Sequence, residues 1–501
     1  MPMMNGFVPK KIQPWIYVVF AFFFQLAGGM YAGAMPHVMG DMCIMREDVT
    51  MIVLCGVIGV NMPFPFLFRF KFRFTNRQLL ITAALAIAAC NWLCMYTKSV
   101  PVLCLLSYVA GFFKLCGTFE CLSNVQLWMT SKRDFTIFFP LLYCIVVGNM
   151  SLSPWITVHL TYIFQSWYAM HWVMTGAMLF IALKVYVLTH DFRFMKPLPL
   201  ISLDWLGCVL WSALLIEVVF LFNYGEYYNW WDGRPFRVVT FMVPVTFYFA
   251  LQRMRHIRHP YIAPEAWLYK RLLPLLAVFA LVELINSTPK ILQNTFTSGV
   301  LHFGAMSTSV FYLVEWAGTI CGCMFVMFWI KVLRQKFTRL LTVGLMALLA
   351  YEVQMYLMVT PGLDIESLFL PIFCRTFGVA IFFTALTIYL EELMPFQHFF
   401  MGLTMVGFIR NGVVDTICSG IYSFSLRHHI AENFSRAMPY DATQVILVSL
   451  KQLFGVTCII ATVVLLIFLV WDIQPVRDTL KRMPYWNVVG RLLRRQMSSG
   501  K

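Results

Sequence analysis

Long, uninterrupted apolar runs recur along almost the whole of this 501-residue chain. Most are about 18 to 25 residues long, the length that an α-helix needs to cross the hydrocarbon core of a bilayer. A spanning segment has to satisfy its own backbone hydrogen bonds, so it is either a helix or part of a closed barrel. The runs lack the alternation of polar and apolar residues that barrel strands show. We therefore predict an all-α integral membrane protein with about fourteen transmembrane helices.

The predicted spans account for nearly all of the chain and leave no stretch for a separate soluble domain. Charged residues make up only 12% of the sequence, whereas an average soluble domain contains about 25%. The first apolar run, which follows Lys10 and Lys11, continues too far for a cleaved leader, so we interpret it as the first span. The predicted spans are 14–36, 49–68, 78–97, 101–129, 136–160, 168–189, 202–223, 237–252, 272–293, 303–330, 339–360, 367–390, 399–423 and 453–473.

Lysine and arginine are concentrated in alternate loops between the predicted spans. Because basic loops stay on the cytoplasmic side, this pattern predicts an even number of spans with both termini cytoplasmic. It also explains most of the net charge of +15, so the lipid bilayer is the expected partner and no nucleic acid is needed. Two of these loops are candidate gating segments, through Arg69, Lys71, Arg73, Arg77, Lys331 and Arg339.

Two distant stretches of the chain resemble each other. The sequence GVIGVNM at 56–62 matches GTICGCM at 318–324, and a basic turn follows each. Many secondary transporters consist of two repeated halves with the binding site between them. We therefore predict two six-helix halves joined by two extra helices. The predicted parts are an N-terminal half (1–200), two linker helices with a basic loop (201–270), a C-terminal half (271–475) and a basic tail (476–501).

Three motifs point to one family. Asp204-Trp205-Leu-Gly207 opens the seventh span, Pro36 closes an Ala-Met-Pro at the end of the first, and Pro154 belongs to a Ser-Pro pair in the fifth. These residues resemble motifs of the fourteen-helix drug:proton antiporters of the EmrB/QacA type, a family of the major facilitator superfamily. The resemblance implies proton-coupled export of a small amphipathic drug or metabolite by alternating access. It also implies a location in the cell (inner) membrane, with a periplasmic adaptor protein and an outer-membrane channel as further partners.

The chain departs from that family at the charged positions of its motifs. The loop at 68–77 keeps the cations but lacks the family's Asp, Ser107 replaces an Arg, and Ala27 lies where the first helix carries an Asp. The resemblance therefore implies a divergent member with altered ion pairs.

Charged residues inside the predicted spans are the candidates for a functional site. Each costs about 2.5–3.5 kcal/mol at the bilayer centre, so a functional role is a reasonable hypothesis for each. The alternative for each is a structural ion pair or hydrogen bond between helices, which we favour for Glu315 and Glu352. The candidates for substrate binding or proton coupling are Lys114, Glu120, Glu217, Glu283, Arg375, Arg410 and Asp415.

Two other functions stay open beside a drug exporter: a lipid or oligosaccharide flippase, and an intramembrane acyltransferase. An acyltransferase needs a histidine or a paired acid, and His159 and His171 are isolated in the sequence. The sequence contains no phosphate-binding loop, which argues against an ATP-driven pump. The 14 cysteines lie mostly inside apolar runs and are interpreted as small buried side chains. We predict a transporter rather than an enzyme, with no cofactor and no metal.

Overall fold

The computed structural model describes residues 3–129, 135–193, 199–200, 203–269, 271–333, 337–436 and 442–470. These ranges are helical, and no named strand occurs within them. The α-helices, numbered α1 to α17, are Gln13–Leu26, Met35–Met42, Arg46–Asn61, Leu67–Arg73, Asn76–Tyr96, Val100–Met129, Phe135–Phe164, Tyr168–Leu188, Trp205–Tyr224, Arg234–His256, Leu272–Asn286, Ala305–Phe328, Phe337–Met358, Phe369–Leu393, Phe396–Phe408, Val414–Arg436 and Ala442–Val470. The predicted all-α fold is confirmed.

Within the described ranges, 12 helical segments are long and apolar enough to cross a membrane. Two shorter apolar helices, Gln13–Leu26 and His398–Phe408, lie where the first and thirteenth spans were predicted. The chain is therefore a multi-pass membrane protein. The total of fourteen spans remains a prediction, and the predicted basic tail, 476–501, lies outside the described residues.

The first predicted span, 14–36, is not one continuous helix. Helix α1 ends at Leu26, and the backbone is already extended at Ala27. Gly29 then lies so close to α6 that an added Cβ would come within 2.3 Å of the Ser107 Cα. This close approach requires glycine, and a glycine pair weakens a helix at the same place. The length of the apolar run did not reveal the break.

The two similar stretches at 56–62 and 318–324 pack in the same way. Gly59 of α3 lies against α6, where an added Cβ would be 2.1 Å from the Tyr108 carbonyl oxygen. Gly318 of α12 lies against α14, where an added Cβ would be 2.2 Å from Thr376 Oγ1. Small residues allow helix backbones to approach this closely inside membranes. The pairs α1–α6 and α5–α8 have counterparts in α11–α14 and α13–α17, so the predicted repeat of two halves is confirmed.

Two extra helices, α9 and α10, pack on each other between the halves in sequence. Helix α10 buries only Phe236 and Ala250 among its residues, whereas α9 also contacts α3 and α16. Helix α10 therefore lies at the periphery of the bundle, where its apolar side chains face lipid. The boundaries proposed at residues 200, 270 and 475 remain a prediction.

The halves pack on each other along α7 and α12, and they also meet at one end of the bundle, which we call the basic end because Arg69, Arg73, Arg77, Arg253 and Arg339 surround it. Aromatic rings of the N-terminal half contact those of α15 there. The ring centroids of Phe68 and Phe400 are 4.5 Å apart, and those of Phe139 and Phe399 are 6.1 Å apart. Asn61 Nδ2 also donates to the Gly407 carbonyl oxygen at 3.1 Å. The basic end is therefore closed in this structure.

At the opposite end, α9 connects the two halves. The Tyr224 hydroxyl donates to Asp48 Oδ1 of α3 at 2.5 Å, and Arg427 of α16 forms an ion pair with Glu226 at 2.8 Å. Direct α3 contacts with the C-terminal half are made instead by α15 and the turn at 409–413.

Candidate functional site

The predicted ninth span, 272–293, is interrupted in its middle. Helix α11 ends at Asn286, and π-helical segments at 289–293 and 295–300 continue the span. Pro289 has no N–H to donate to the Ile285 carbonyl, and the Thr288 hydroxyl donates to that carbonyl instead, at 3.0 Å. Interrupted helices at membrane depth are common where transporters bind ions or substrates. The predicted span is therefore confirmed as the helical segment Leu272–Val300, but its regular α-helix ends at Asn286, and this break directs polar groups into the bundle.

Starting at this break, hydrogen bonds link four polar side chains across three spans. Asn286 Nδ2 donates to Glu283 Oε2 at 3.1 Å, and Arg375 Nη1 of α14 donates to Asn286 Oδ1 at 3.0 Å. Arg375 Nη2 then forms an ion pair with Glu315 Oε1 of α12 at 2.5 Å. Both Glu283 and Arg375 are buried. The structure thus brings the predicted site residues Glu283 and Arg375 together and adds Glu315, for which we had favoured a structural role.

Lys290, which follows Pro289 directly, forms an ion pair with Asp415 of α16. Glu283 interacts electrostatically with Asp415, Lys290 and Arg410, so this pair belongs to the same charged cluster. The Lys290 side chain is 54% exposed although its ion-pair partner is buried. We call Glu283, Asn286, Lys290, Glu315, Arg375 and Asp415 the C-half network.

Two buried atoms of the C-half network have no hydrogen-bond partner among the described residues. They are Asp415 Oδ1 and Arg375 Nε. Almost all buried polar atoms in proteins are hydrogen-bonded, and the exceptions often mark functional sites. The network can therefore accept a proton, a water molecule or a polar group of a ligand.

Arg410 and Lys114 carry charge in the interior without a carboxylate partner within the described ranges. The Arg410 guanidinium lies 3.9 Å from the centroid of the Phe383 ring, in the π-helical turn 409–413 between α15 and α16. Lys114 is on the face of α6 that packs against α1 and α3, because Thr118 and Gly111 on the same face contact Gln25 and Gly56. Neither cation forms a salt bridge within the described ranges.

Two other carboxylates form no hydrogen bond with the C-half network among the described residues, although Glu352 interacts electrostatically with Arg375. Glu352 of α13 is fully buried, and its two oxygens accept hydrogen bonds from Thr288 at 2.9 Å and Thr457 at 2.7 Å. Glu217 accepts a hydrogen bond from Thr246 at 2.9 Å and thereby joins α9 to α10. Glu217 therefore does not lie in the C-half network.

Lys71 and Glu120 form a second buried charge cluster in the N-terminal half. Lys71, which we had assigned to a gating loop, lies in the last turn of α4 and is 3.3 Å from both Glu120 oxygens. Its ammonium also donates to Ser123 Oγ at 2.5 Å and Asn124 Oδ1 at 3.1 Å, and Asn76 donates to Glu120 at 2.6 Å. Both charged groups of this pair already have several hydrogen-bond partners, so the pair is more typical of a structural contact than of a binding site. We call it the structural clamp.

The other predicted gating residues lie around the basic end and outside both clusters. The Arg77 guanidinium lies 4.1 Å from the centroid of the Tyr186 ring, and Arg69 lines a cavity at this end. Arg73, Lys331 and Arg339 are exposed.

Three of the family-motif residues, Asp204, Trp205 and Gly207, lie at the start of α9. Asp204 caps α9 by accepting from the Gly207 N–H at 2.9 Å, and it also accepts from Arg253 Nε at 2.6 Å and the Tyr261 N–H at 3.1 Å. Trp205 packs on Phe66, with centroids 5.0 Å apart. These residues anchor the start of α9 to the basic end.

The two motif prolines lie on neighbouring helices. Pro36 lies in the first turn of α2, and Pro154 lies inside α7. An added Cβ at Gly33 would come within 2.6 Å of the Pro154 carbonyl oxygen. The segment before α2 therefore packs closely on α7, and neither proline contacts the C-half network.

The sequence analysis did not select Asn286 or Lys290. The signal that identifies them is the Ser-Thr-Pro at 287–289, which interrupts an apolar run and leaves polar groups on both sides of the break.

Comparison with solved structures shows what this arrangement resembles. An auto-inhibited peptide transporter of the POT family aligns over 93% of this chain and 98% of its own, with a TM-score of 0.57 and 15% identity. A POT peptide transporter in complex with alafosfalin aligns over 93% and 96%, with a TM-score of 0.59 and 14% identity. The human organic anion transporter MFSD10 aligns over 91% and 100%, with a TM-score of 0.52 and 11% identity.

No protein-family model matches the chain, and no curated protein sequence matches it. The three solved structures compared above are transporters by their titles. Their similarity does not support membership of the fourteen-helix drug antiporters. At these identities the likeness concerns the fold alone, and the chain shares the fold of these membrane transporters.

Proposed function

We propose that this protein is a secondary active transporter that couples proton movement to the passage of a small amphipathic molecule. The observation that carries the proposal is the C-half network, whose buried Asp415 Oδ1 and Arg375 Nε have no hydrogen-bond partner among the residues that the structure describes. Charged side chains inside a membrane protein are costly and cluster along ion and substrate pathways. A bundle of two repeated halves, closed at one end, supplies the alternating access that such a site requires.

Charge balance within the cluster supports coupling to protons. Three carboxylates (Glu283, Glu315 and Asp415) lie with three cations (Lys290, Arg375 and Arg410). If one carboxylate takes up a proton, one positive charge is left in excess. The protonation of a carboxylate that is surrounded by like and unlike charges depends strongly on any change in those neighbouring charges. We assign proton uptake to Glu283, because its only side-chain hydrogen bond within the described residues comes from the neutral amide of Asn286.

The excess of positive charge inside the bundle favours a cargo with an anionic group. Lys114 adds a positive charge that no described carboxylate neutralises, and protonation of Glu283 increases the excess. Cargo and proton then favour each other's binding, which corresponds to transport of both in the same direction. One structural neighbour is named as an organic anion transporter.

Export of an amphipathic drug in exchange for protons is the second candidate, favoured by the motif Asp204-Trp205-Gly207. In that mechanism the cargo and the proton compete for the carboxylates of the network. The cell membrane, the cytoplasmic placement of both termini and an adaptor partner belong to this second candidate as further expectations.

The test is transport by the purified protein in proteoliposomes under an imposed pH gradient of either sign. The cargo panel contains amphipathic organic anions, short peptides, lipophilic cations and a fluorescent phospholipid. We expect anions to accumulate on the side toward which protons flow, and a protonophore to abolish the accumulation. Accumulation against the proton flow would favour the exchanger instead. Translocation of the phospholipid alone would overturn the proposal in favour of a flippase.

A further inference from the structure

A cavity of about 430 Å³ lies at the basic end, outside both charge clusters. Its wall is formed by four stretches of the chain: residues 65–69 in and before α4, 203–204 before α9, 254–265 at and after the end of α10, and 398–401 in α15. The N-terminal half, the linker and the C-terminal half therefore all contribute side chains to one site. Arg69, Arg255, Arg258, His259 and His398 line it together with Asp204 and Glu265.

The two carboxylates in this wall differ in how fully they are bonded. Asp204 accepts three hydrogen bonds, from Gly207, Arg253 and Tyr261. Glu265 lies 3.8 Å from His398 in a weak pair and is 75% exposed. By contrast, Arg255 and Arg258 are exposed and form no salt bridge with any described carboxylate. The cavity therefore presents guanidinium groups that are free to bind an anion, and guanidinium forks match phosphate geometry.

An apolar groove of about 390 Å³ adjoins this cavity and shares Ile257 with it. The groove runs between α9 and α10 and is lined by Leu206, Leu210 and Phe249, with Gln252, Arg253 and His256 at one end. Leu206 and Phe249 are 52% and 56% exposed, and α10 is the peripheral, lipid-facing helix. An acyl chain fits such a groove, because its neighbours at this depth are lipid tails.

We propose that the basic-end cavity binds the phosphorylated headgroup of an anionic phospholipid, with one acyl chain in the groove between α9 and α10. Charge complementarity selects the phosphate, and the continuity of the two cavities selects a lipid over a free phosphate compound. The bound headgroup would contact all three parts of the chain at the closed basic end. The bound lipid therefore holds the two halves together at the basic end, and this role does not depend on the identity of the transported cargo.

The experiment measures lipid retention and thermal stability of the purified protein. Native mass spectrometry counts bound lipid after titration with phosphatidylinositol bisphosphate in detergent, against phosphatidylcholine. The test variant replaces Arg255 and Arg258 by Gln. The control variant is Arg237→Gln, an exposed arginine on the same helix but at the other end. Hydrogen bonds to charged groups imply a loss of affinity of about tenfold or more in the double variant.

The expected result is a bound phosphoinositide and a raised melting temperature in the wild-type and Arg237→Gln proteins, and neither in the double variant. Equal retention by the double variant and the control would overturn the site. A third arm uses soluble inositol trisphosphate. If this compound raises the melting temperature as much as the lipid does, the groove has no part in binding and the assignment to a lipid is wrong.

Discussion

Each half of this transporter fold buries charged residues, but the two sets differ in how completely they are bonded. In the N-terminal half, Lys71 and Glu120 satisfy each other with help from Ser123, Asn124 and Asn76, all within regular α-helices. In the C-terminal half, the network extends across four helices, lies beside π-helical turns, and leaves two buried atoms without a hydrogen-bond partner in the described part of the chain.

Under the proposed function, the difference indicates that the charged cluster of the N-terminal half is structural and that the network of the C-terminal half rearranges during transport. A buried ion pair with every partner in place stabilises one arrangement, and removing one member is costly. A network with spare bonding capacity has more than one arrangement of similar energy, which coupling requires. We therefore regard the Lys71–Glu120 cluster as a structural clamp and the C-half network as the working site.

The largest effect should follow from breaking the clamp. Glu120→Ala leaves the Lys71 ammonium buried without a carboxylate, which costs about 3–5 kcal/mol for pairs of this kind. We expect most of the protein to be lost as aggregate on size-exclusion chromatography, with a strongly lowered melting temperature for the rest. Glu366→Gln, at an exposed position of the short 3₁₀ helix Ile365–Leu368, is the control. The double variant Lys71→Met, Glu120→Met should recover much of the stability, and a Glu120→Ala protein as stable as the control would show that the pair is dispensable.

Neutralising the working site should instead remove coupling and leave folding intact. Glu283→Gln keeps the shape of the side chain and the hydrogen bond from Asn286, so its melting temperature should match the wild type. Because an amide cannot take up the proton, accumulation driven by a pH gradient should fall to the level of protein-free vesicles, while exchange of labelled for unlabelled cargo continues.

The matched variant for that measurement is Glu352→Gln in the same half. Glu352 is equally buried, but both of its oxygens already accept hydrogen bonds from threonine hydroxyls. We expect it to retain coupled accumulation. If Glu352→Gln abolished accumulation and Glu283→Gln did not, the assignment of the proton site would have to be reversed.

These predictions rest on contacts that only part of the sequence analysis anticipated. The length of the apolar runs was sufficient for the all-α membrane fold, and the similarity of 56–62 to 318–324 was sufficient for the two halves, because glycines at helix contacts are encoded locally. The pairing of Lys71 with Glu120 could not be predicted, since it depends on how α4 turns back against α6. Similarly, Asn286 and Lys290 became candidates only when the break at Pro289 placed them beside Arg375 and Asp415.

A smaller effect is expected from the unpaired cation of the N-terminal half. If Lys114 attracts an anionic group of the cargo, Lys114→Gln removes a charge-assisted interaction worth about 1.5–3 kcal/mol. The Michaelis constant for an anionic cargo should then rise about tenfold or more, whereas that for an uncharged analogue should hardly change. Lys184→Gln serves as the control, because Lys184 is exposed on α8 over the Phe180 ring. Equal effects on charged and uncharged cargo would remove Lys114 from the binding site.

The smallest effect concerns the contact that joins the two halves at the basic end. Asn61→Ala removes the hydrogen bond to the Gly407 carbonyl, and a single neutral hydrogen bond contributes about 1 kcal/mol. The population open at the basic end should therefore rise about fivefold. Cys323 reports this opening, because it is buried on α12, near Thr384, and α12 packs against α7 of the other half. Its rate of labelling by a polar thiol reagent, followed by peptide mass spectrometry, should rise by the same factor.

The exposed Cys43 near the opposite end should label at an unchanged rate. If both cysteines accelerated together, the substitution would have loosened the whole fold, and the closure at the basic end would not depend on Asn61.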